Sequence, residues 1–240
     1  AAGGVNIENN LKKLTLNKLE AKAITIPIRL LEPASFSQSG KNLELSNLVL
    51  GIKDGKILAN GKFGGDVFEG DLSIKKLPLS LAGAIDPTLA LSGNLNVDAS
   101  LNGTASAPNG IIQIRLRDFI VPGAQTVSLG KAGADLKANW KLGKVQIDGS
   151  LFQPKVGKIN LMGSAPLELD PITYKLDVPK TKPVSGNVEG TLDLSFANEI
   201  LSASGNLVKG KAKIKARAFG SINNINFKSD VSLQKAQFEN

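Results

Sequence analysis

Site chemistry needs groups that attack, donate or coordinate, and this chain of 240 residues lacks two of the most versatile, with no cysteine and no histidine. Thiolate nucleophiles, disulfides, cysteine or histidine zinc sites and a Ser-His-Asp relay are excluded. Carboxylate pairs, lysine or Mg²⁺ remain as catalysts. The acidic cluster Asp66, Glu69 and Asp71 lacks the successive oxygen ligands of a Ca²⁺ loop and reads as a solvated turn. Gly130-Lys131 has Ala132 where a phosphate loop needs Ser or Thr, and Gln125 where it needs glycine. No catalytic residue, metal or cofactor is expected, and an enzyme is not the expected class.

One charged constellation stands out in a chain of net charge +8. Lys209, Lys211, Lys213, Lys215 and Arg217 recur at spacing two, so one strand turns all five to the same side. Such a face suits lipid headgroups or an acidic partner. It carries no interleaved aromatics for base stacking, so nucleic acid is not an expected partner. The plainer reading is an edge or solvent face kept soluble by lysine.

The elements that position these residues are strands. Apolar and polar residues alternate from end to end, the mark of strands with one dry and one wet face. Leu95, Val97, Ala99 and Leu101 alternate with Asn94, Asn96, Asp98 and Ser100; Ile112, Ile114 and Leu116 alternate with Gln113, Arg115 and Arg117. Leu136, Ala138, Trp140 and Leu142 run through Gly143-Lys144 into Val145 and Ile147, a hairpin pattern. Roughly sixteen to twenty strands fit the length. Leu11 to Ala23 favours strand over helix, and Asn198 to Ala203 is the one candidate for a helical turn. Apolar residues make up 42%, aromatics only 5%. No uncharged stretch reaches the 18 or so apolar residues of a membrane span. No composition change divides residues 1–240, and the start Ala1-Ala2-Gly3-Gly4 reads as a cut inside a longer polypeptide.

An internal echo accompanies the alternation. Ser92-Gly93-Asn94-Leu95, Ser185-Gly186-Asn187-Val188 and Ser204-Gly205-Asn206-Leu207 share a pattern, and Gly103-Thr104, Gly190-Thr191 and Gly220-Ser221 follow them at unequal spacings. Leu77-Pro78-Leu79, Leu91-Ser92-Gly93-Asn94-Leu95, Leu101-Asn102-Gly103-Thr104 and Ala107-Pro108-Asn109-Gly110 come in an order that resembles the TamB family of bacterial translocation and assembly modules, within the AsmA-like group. Pro183-Val184-Ser185-Gly186-Asn187-Val188-Glu189-Gly190-Thr191-Leu192-Asp193-Leu194 and Ala203 to Leu207 are similar to further elements of that family. Gly220-Ser221-Ile222-Asn223-Asn224 departs from it, with Asn where the family often has proline.

The resemblance, over residues 40–240, implies an all-β fold with very little helix: an elongated, folded-over sheet, a β-taco-like groove with an apolar concave face. It implies a periplasmic part of a protein anchored in the inner membrane, phospholipid acyl chains as cargo, an outer-membrane barrel partner of the TamA type, and membrane contact through segments outside this chain. The residues expected to line the groove are Leu95, Val97, Leu101, Ile112, Ile114, Leu116, Leu136, Trp140, Leu142, Val145, Ile147, Ile159, Leu161 and Ile214. Lys209, Lys211, Lys213, Lys215 and Arg217 are the expected contact for an anionic surface. A β-helix or β-sandwich acting as a structural or adhesive module is the alternative. An outer-membrane barrel is disfavoured, since 9 Phe, 1 Trp and 1 Tyr are too few for two interfacial girdles. Sixteen or more strands in one layer would span roughly 75 to 95 Å.

Overall fold

The alternation becomes strand almost wherever it occurs. A computed structural model of the chain describes residues 1–8, 11–23, 26–65, 67–84, 86, 91–104, 106–120, 130–170, 173, 175–201 and 205–239. The first half holds β1 (Ala2–Glu8), β2 (Leu11–Lys18), β3 (Glu20–Ala23), β4 (Ile26–Glu32), β5 (Ala34–Ser39), β6 (Asn42–Ile52), β7 (Gly55–Gly64), β8 (Val67–Pro78), β9 (Ser92–Thr104) and β10 (Ala107–Ile120). The second holds β11 (Ala132–Lys141), β12 (Lys144–Gln153), β13 (Gly157–Pro166), β14 (Glu168–Leu169), β15 (Leu176–Asp177), β16 (Pro183–Asp193), β17 (Leu207–Ser221) and β18 (Asn224–Glu239). Among the described residues helix is confined to 3-10 turns at Leu79–Ala84 and Leu194–Ala197 and one α-turn, α1 (Asn198–Leu201).

Sixteen strands form one open antiparallel sheet, in which strand order follows chain order. The hairpin β3–β4 lies off the main path, and β14–β15 pair only with each other. The path from β1 to β18 therefore has fourteen strands. Measured along the sheet this is about 62 Å, shorter than a count of all strands implies.

Register keeps the apolar residues on one side. Directly opposed residues of antiparallel strands share a face, and Leu72, Ala99, Ile112, Ala138 and Ile147 are partners in a row across β8 to β12. Leu161, Val188 and Ala216 extend a neighbouring row across β13, β16 and β17. Three interruptions of the two-residue period would flip the face, and each is absorbed by a bulge: Leu45/Leu48, Ile74/Leu77 and Leu116/Phe119. Asn47, Lys76 and Asp118 sit in these bulges with φ of 56°, 50° and 55°. A bulge lets residues three apart share a face and bends the strand that carries it.

Among the described residues no second layer covers the sheet. Among the described residues the buried apolar side chains are Ala34, Val49, Ile52, Phe68, Val208 and Ala212, and no large one is fully enclosed. The accessible surface is 15219 Å², whereas a compact monomer of this mass exposes about 10,000 Å². The dry face is concave at one end, because Phe36 on β5 and Trp140 on β11 line one cavity of about 580 Å³. Six strand spacings would hold them about 29 Å apart on a flat sheet.

The two rims differ. One carries the hairpins Thr104 to Ala107, Lys141 to Lys144 and Ser221 to Asn224 together with the long β13–β16 connection that holds β14 and β15; the opposite rim carries the connections after β8, β10 and β16. Leu142 and Gly143 both have positive φ, 52° and 68°, as a two-residue primed turn requires. Gly103 and Gly220 hold equivalent places at the ends of β9 and β17, with φ of 117° and 125°. Gly190 pairs with Ile159 and Ile214 in mid-strand, so the echoed Gly-Thr and Gly-Ser pairs are not one structural repeat.

A single-layer sheet should scatter as one. A compact chain of this length has a radius of gyration of about 18 Å. Small-angle scattering of the monomer is expected to give a clearly larger value, and a result at the compact value would contradict the open sheet.

Candidate functional site

The expected groove residues come largely onto one face. Leu95, Val97 and Leu101 of β9 pair with Leu116, Ile114 and Gly110 of β10. Leu136 and Trp140 of β11 pair with Gly149 and Val145 of β12, and Ile147 pairs with Ala138. Ile112 faces Ala99 and Ala138; Ile159 and Leu161 of β13 lie opposite Leu151 and Gly149; Ile214 of β17 lies opposite Gly190 and Val231. Leu142 is the exception. It occupies the β11–β12 turn and is 82% exposed, because the hairpin closes one residue pair earlier than the alternation alone implies.

This face is only partly covered. Leu101, Ile112 and Leu161 are exposed, and Leu95, Val97, Ile114, Leu136, Val145, Ile147 and Ile159 are half-buried. Such a surface keeps water against apolar carbon, at a cost of about 25 cal/mol per Å².

At the hairpin rim the face closes into the 580 Å³ cavity, within the size range of small-molecule sites. Phe36, Leu43, Leu45, Phe63, Phe68, Leu101 and Trp140 line it from the sheet, and Leu169 and Leu176 from the β14–β15 hairpin. That hairpin acts as a flap tied at its base. The Leu167 N–H donates to the Gly143 carbonyl at 2.9 Å, and the Trp140 indole N–H donates to the Leu167 carbonyl at 2.9 Å. Lys182 pairs with Glu168 across the flap's two arms, and the Asn223 N–H donates to the Lys180 carbonyl at 3.2 Å. Trp140 thus offers an apolar ring to the cavity and a polar edge to the flap.

Sequence reasoning found Leu101 and Trp140 but not the other walls. The available signal was aromatic: Phe36, Phe63, Phe68 and Trp140 converge here, in a chain with few aromatics. Phe63 and Phe68 flank the turn at Gly65 and are direct partners.

The opposite face is ionic. Asp98 accepts from the Lys75 ammonium at 2.6 Å and from the Ser73 hydroxyl at 2.9 Å, and is bridged by Arg115. The Lys75 hydrogen bond, helped by Ser73, holds its carboxyl below the ordinary aspartate range. Arg117 bonds Asp135 at 2.6 Å and lies over the Phe152 ring. Glu69 stands opposite Lys62, and Asp71 opposite Asn60, while Asp66 falls outside the described residues.

The cationic row of β17 lies on this wet face, as spacing two requires, but not on an edge strand, since β18 covers that side. Several of its charges have partners. Lys209 pairs with Glu239 at 2.7 Å, Lys215 stands between Glu189 and Asp230, and Lys211 lies opposite Asp193. The Ser195 hydroxyl, then its backbone N–H, hold the Asp193 carboxyl below the usual range, with a smaller contribution from Lys211. Lys213 and Arg217 face Thr191 and Asn187.

Comparison with protein-family models, with curated proteins and with solved structures gives no match. The fold and site define a class by geometry alone: an open antiparallel sheet, dry and concave on one side, ionic on the other, with a hairpin flap over one end of the dry side.

Two variants test these assignments. Trp140→Phe keeps an aromatic ring and deletes the indole donor, a neutral hydrogen bond of about 1 kcal/mol; amide exchange at Leu167 and Asp170, whose N–H groups donate to the Gly143 and Lys175 carbonyls, is expected to quicken while the sheet's is unchanged. Equal flap protection in both proteins would show that the indole bond does not hold it. Changing Lys211, Lys213 and Lys215 together to serine is expected to move the melting temperature by only a few degrees, as solvent-facing changes do. A large loss would mean the faces are reversed.

Proposed function

We propose that this chain is a lipid-conducting scaffold, a groove that shelters acyl chains as they pass along it. The observation that carries the reading is the single apolar face kept in register across the sheet and left without a covering layer. A stable sheet normally buries its dry face against helices or another sheet. Here acyl chains would complete the burial, gaining about 0.8 kcal/mol for each CH₂ removed from water. The absence of fixed polar partners along the face suits sliding chains better than one anchored ligand.

The aromatic cavity gives the groove an asymmetric end, where a chain would be held under the flap before release. We further propose, from the resemblance to the TamB and AsmA-like families, that the scaffold works in the bacterial periplasm. In that setting it would carry phospholipid between inner and outer membranes beside a barrel partner of the TamA type.

The test sets charge into the groove. Ile114→Asp or Ile147→Arg places an ion on the dry face, where it would cost about 2–3 kcal/mol against acyl chains but can reach water through the open side when lipid is absent. These variants are expected to fold and to retain about thirty- to a hundredfold less phospholipid by native mass spectrometry. Gln113→Asp and Gln146→Arg, one residue along on the wet face, are expected to match the wild type. A wild-type chain that retains no phospholipid, or folded groove variants that retain as much as the controls, would refute the reading.

A further inference from the structure

The floor of the aromatic cavity is bare backbone. Gly61 of β7 and Gly70 of β8 are direct partners, and both line the cavity. Their row on the dry face reads Phe36, Leu45, Gly61, Gly70, Leu101. Neither glycine has a positive φ, so the backbone does not require one. Packing does not require one either: a Cβ on Gly70 would meet only the Asn60 carbonyl oxygen, at 3.6 Å, and one on Gly61 only backbone atoms, the nearer at 3.3 Å.

Glycine inside a strand weakens it and often marks the place where a ligand comes close to the backbone. Several other glycines of the sheet have the vacant space filled by a neighbour, Gly110 by Leu101 and Trp140, Gly149 by Leu136 and Leu161, Gly190 by Ile159. No side chain comes within 4 Å of the vacant positions at Gly61 and Gly70. Gly163 and Gly186 form a second bare pair on the dry face, but their neighbours Ile147, Ala218, Leu161 and Val188 include no aromatic ring.

The Gly61–Gly70 floor is bounded on every side. Leu45 and Leu101 flank it three strand spacings apart, about 14 Å along the sheet. The Phe63–Phe68 pair stands toward the turn and the Ala59–Leu72 pair away from it. Leu169 and Leu176 of the flap face it from the other side of the cavity. The walls offer no free polar group, since the Trp140 indole donates to the Leu167 carbonyl, and Glu44, Lys62 and Glu69 are register partners on the ionic face. What lies on this floor is therefore hydrocarbon. A single extended chain is about 4 Å thick at contact distance and would leave much of the width empty, forfeiting dispersion contacts. A body of fused rings is broad and thin, lies flat on bare backbone, and loses little freedom on binding because it is rigid.

We propose that the cavity under the β14–β15 flap is a binding site for a flat fused-ring lipid of the sterol or triterpenoid type. Its ring body lies on the Gly61–Gly70 floor and its polar end stays outside. The site goes beyond acyl-chain conduction and does not rest on it: a chain can pass through the cavity, whereas a ring body fills it.

Trp140 is the only tryptophan of the chain and lines the cavity, so it reports occupancy directly. Dehydroergosterol, a fluorescent sterol, and cis-parinaric acid, a fluorescent acyl chain, both accept excitation energy from tryptophan. Dehydroergosterol is expected to saturate at one molecule per chain and to bind about tenfold more tightly than cis-parinaric acid. Gly70→Val places a strand-favouring residue on the floor and is expected to weaken dehydroergosterol about tenfold without lowering the melting temperature. Gly70→Ala adds one carbon with room at 3.6 Å, so it keeps the fold should the valine variant lose it, and it is expected to weaken binding in the same direction. Gly186→Val, at the second bare pair, is expected to bind as the wild type does. Absence of transfer to dehydroergosterol, unchanged binding by the folded Gly70 variants, or an equal loss in Gly186→Val would overturn the proposal. Binding of cis-parinaric acid as tight as that of dehydroergosterol, or of cis-parinaric acid alone, would overturn it too and leave the conduit reading standing.

Discussion

An antiparallel sheet that is dry on one side must cover that side or bend around it. Every major feature of this molecule answers that constraint without a layer of helices. The alternation puts apolar residues on one face, the bulges hold them there, and the curvature near β5 to β11 turns that face inward. The flap and α1 add local cover: Asn198 grips β17 by donating to the Val208 carbonyl and accepting from its N–H, beside two of the few buried side chains, Val208 and Ala212. What is left uncovered is most of the groove.

The wet face answers a complementary need. A single layer is wetted along its whole back, and there charged residues are set in crosswise ladders rather than scattered. Asp98 gathers Ser73 and Lys75 from one neighbouring strand and Arg115 from the other, and Lys215 stands between two carboxylates. Exposed pairs of this kind each add little to stability. Their larger effect is on register, because a slip of one residue would carry Asp98 to the dry side and Val97 to the wet side.

Strand identity and face were legible in the sequence because a two-residue period is a local property. Ile112 and Ile114, or Lys211 to Lys215, declare their faces without knowledge of neighbours. What could not be read locally depends on pairing. Leu142 continues the alternation perfectly, yet the turn that joins β11 to β12 takes it out of the strand. Phe36 and Trp140 are more than a hundred residues apart, and only the curvature of the sheet brings them to one cavity. The two-residue period breaks at Leu45/Leu48 and Ile74/Leu77, and only the pairing shows that a bulge at each keeps the apolar residues on one face. The flap was hidden because two-residue strands such as Glu168–Leu169 carry no period at all.

Strand order that follows chain order also shapes how the molecule comes apart. Nearly every pairing joins one strand to the next in the chain, and among the described residues the aromatic cavity is the main place where distant strands meet. Stability is then close to a sum of neighbour terms, as in a one-dimensional array. Unfolding need not be all-or-none: strands can peel from either end while the middle persists, and each interior hairpin can form as soon as its own residues are present. Such a chain can zip up progressively from one terminus, and its denaturation has no single midpoint that describes the whole.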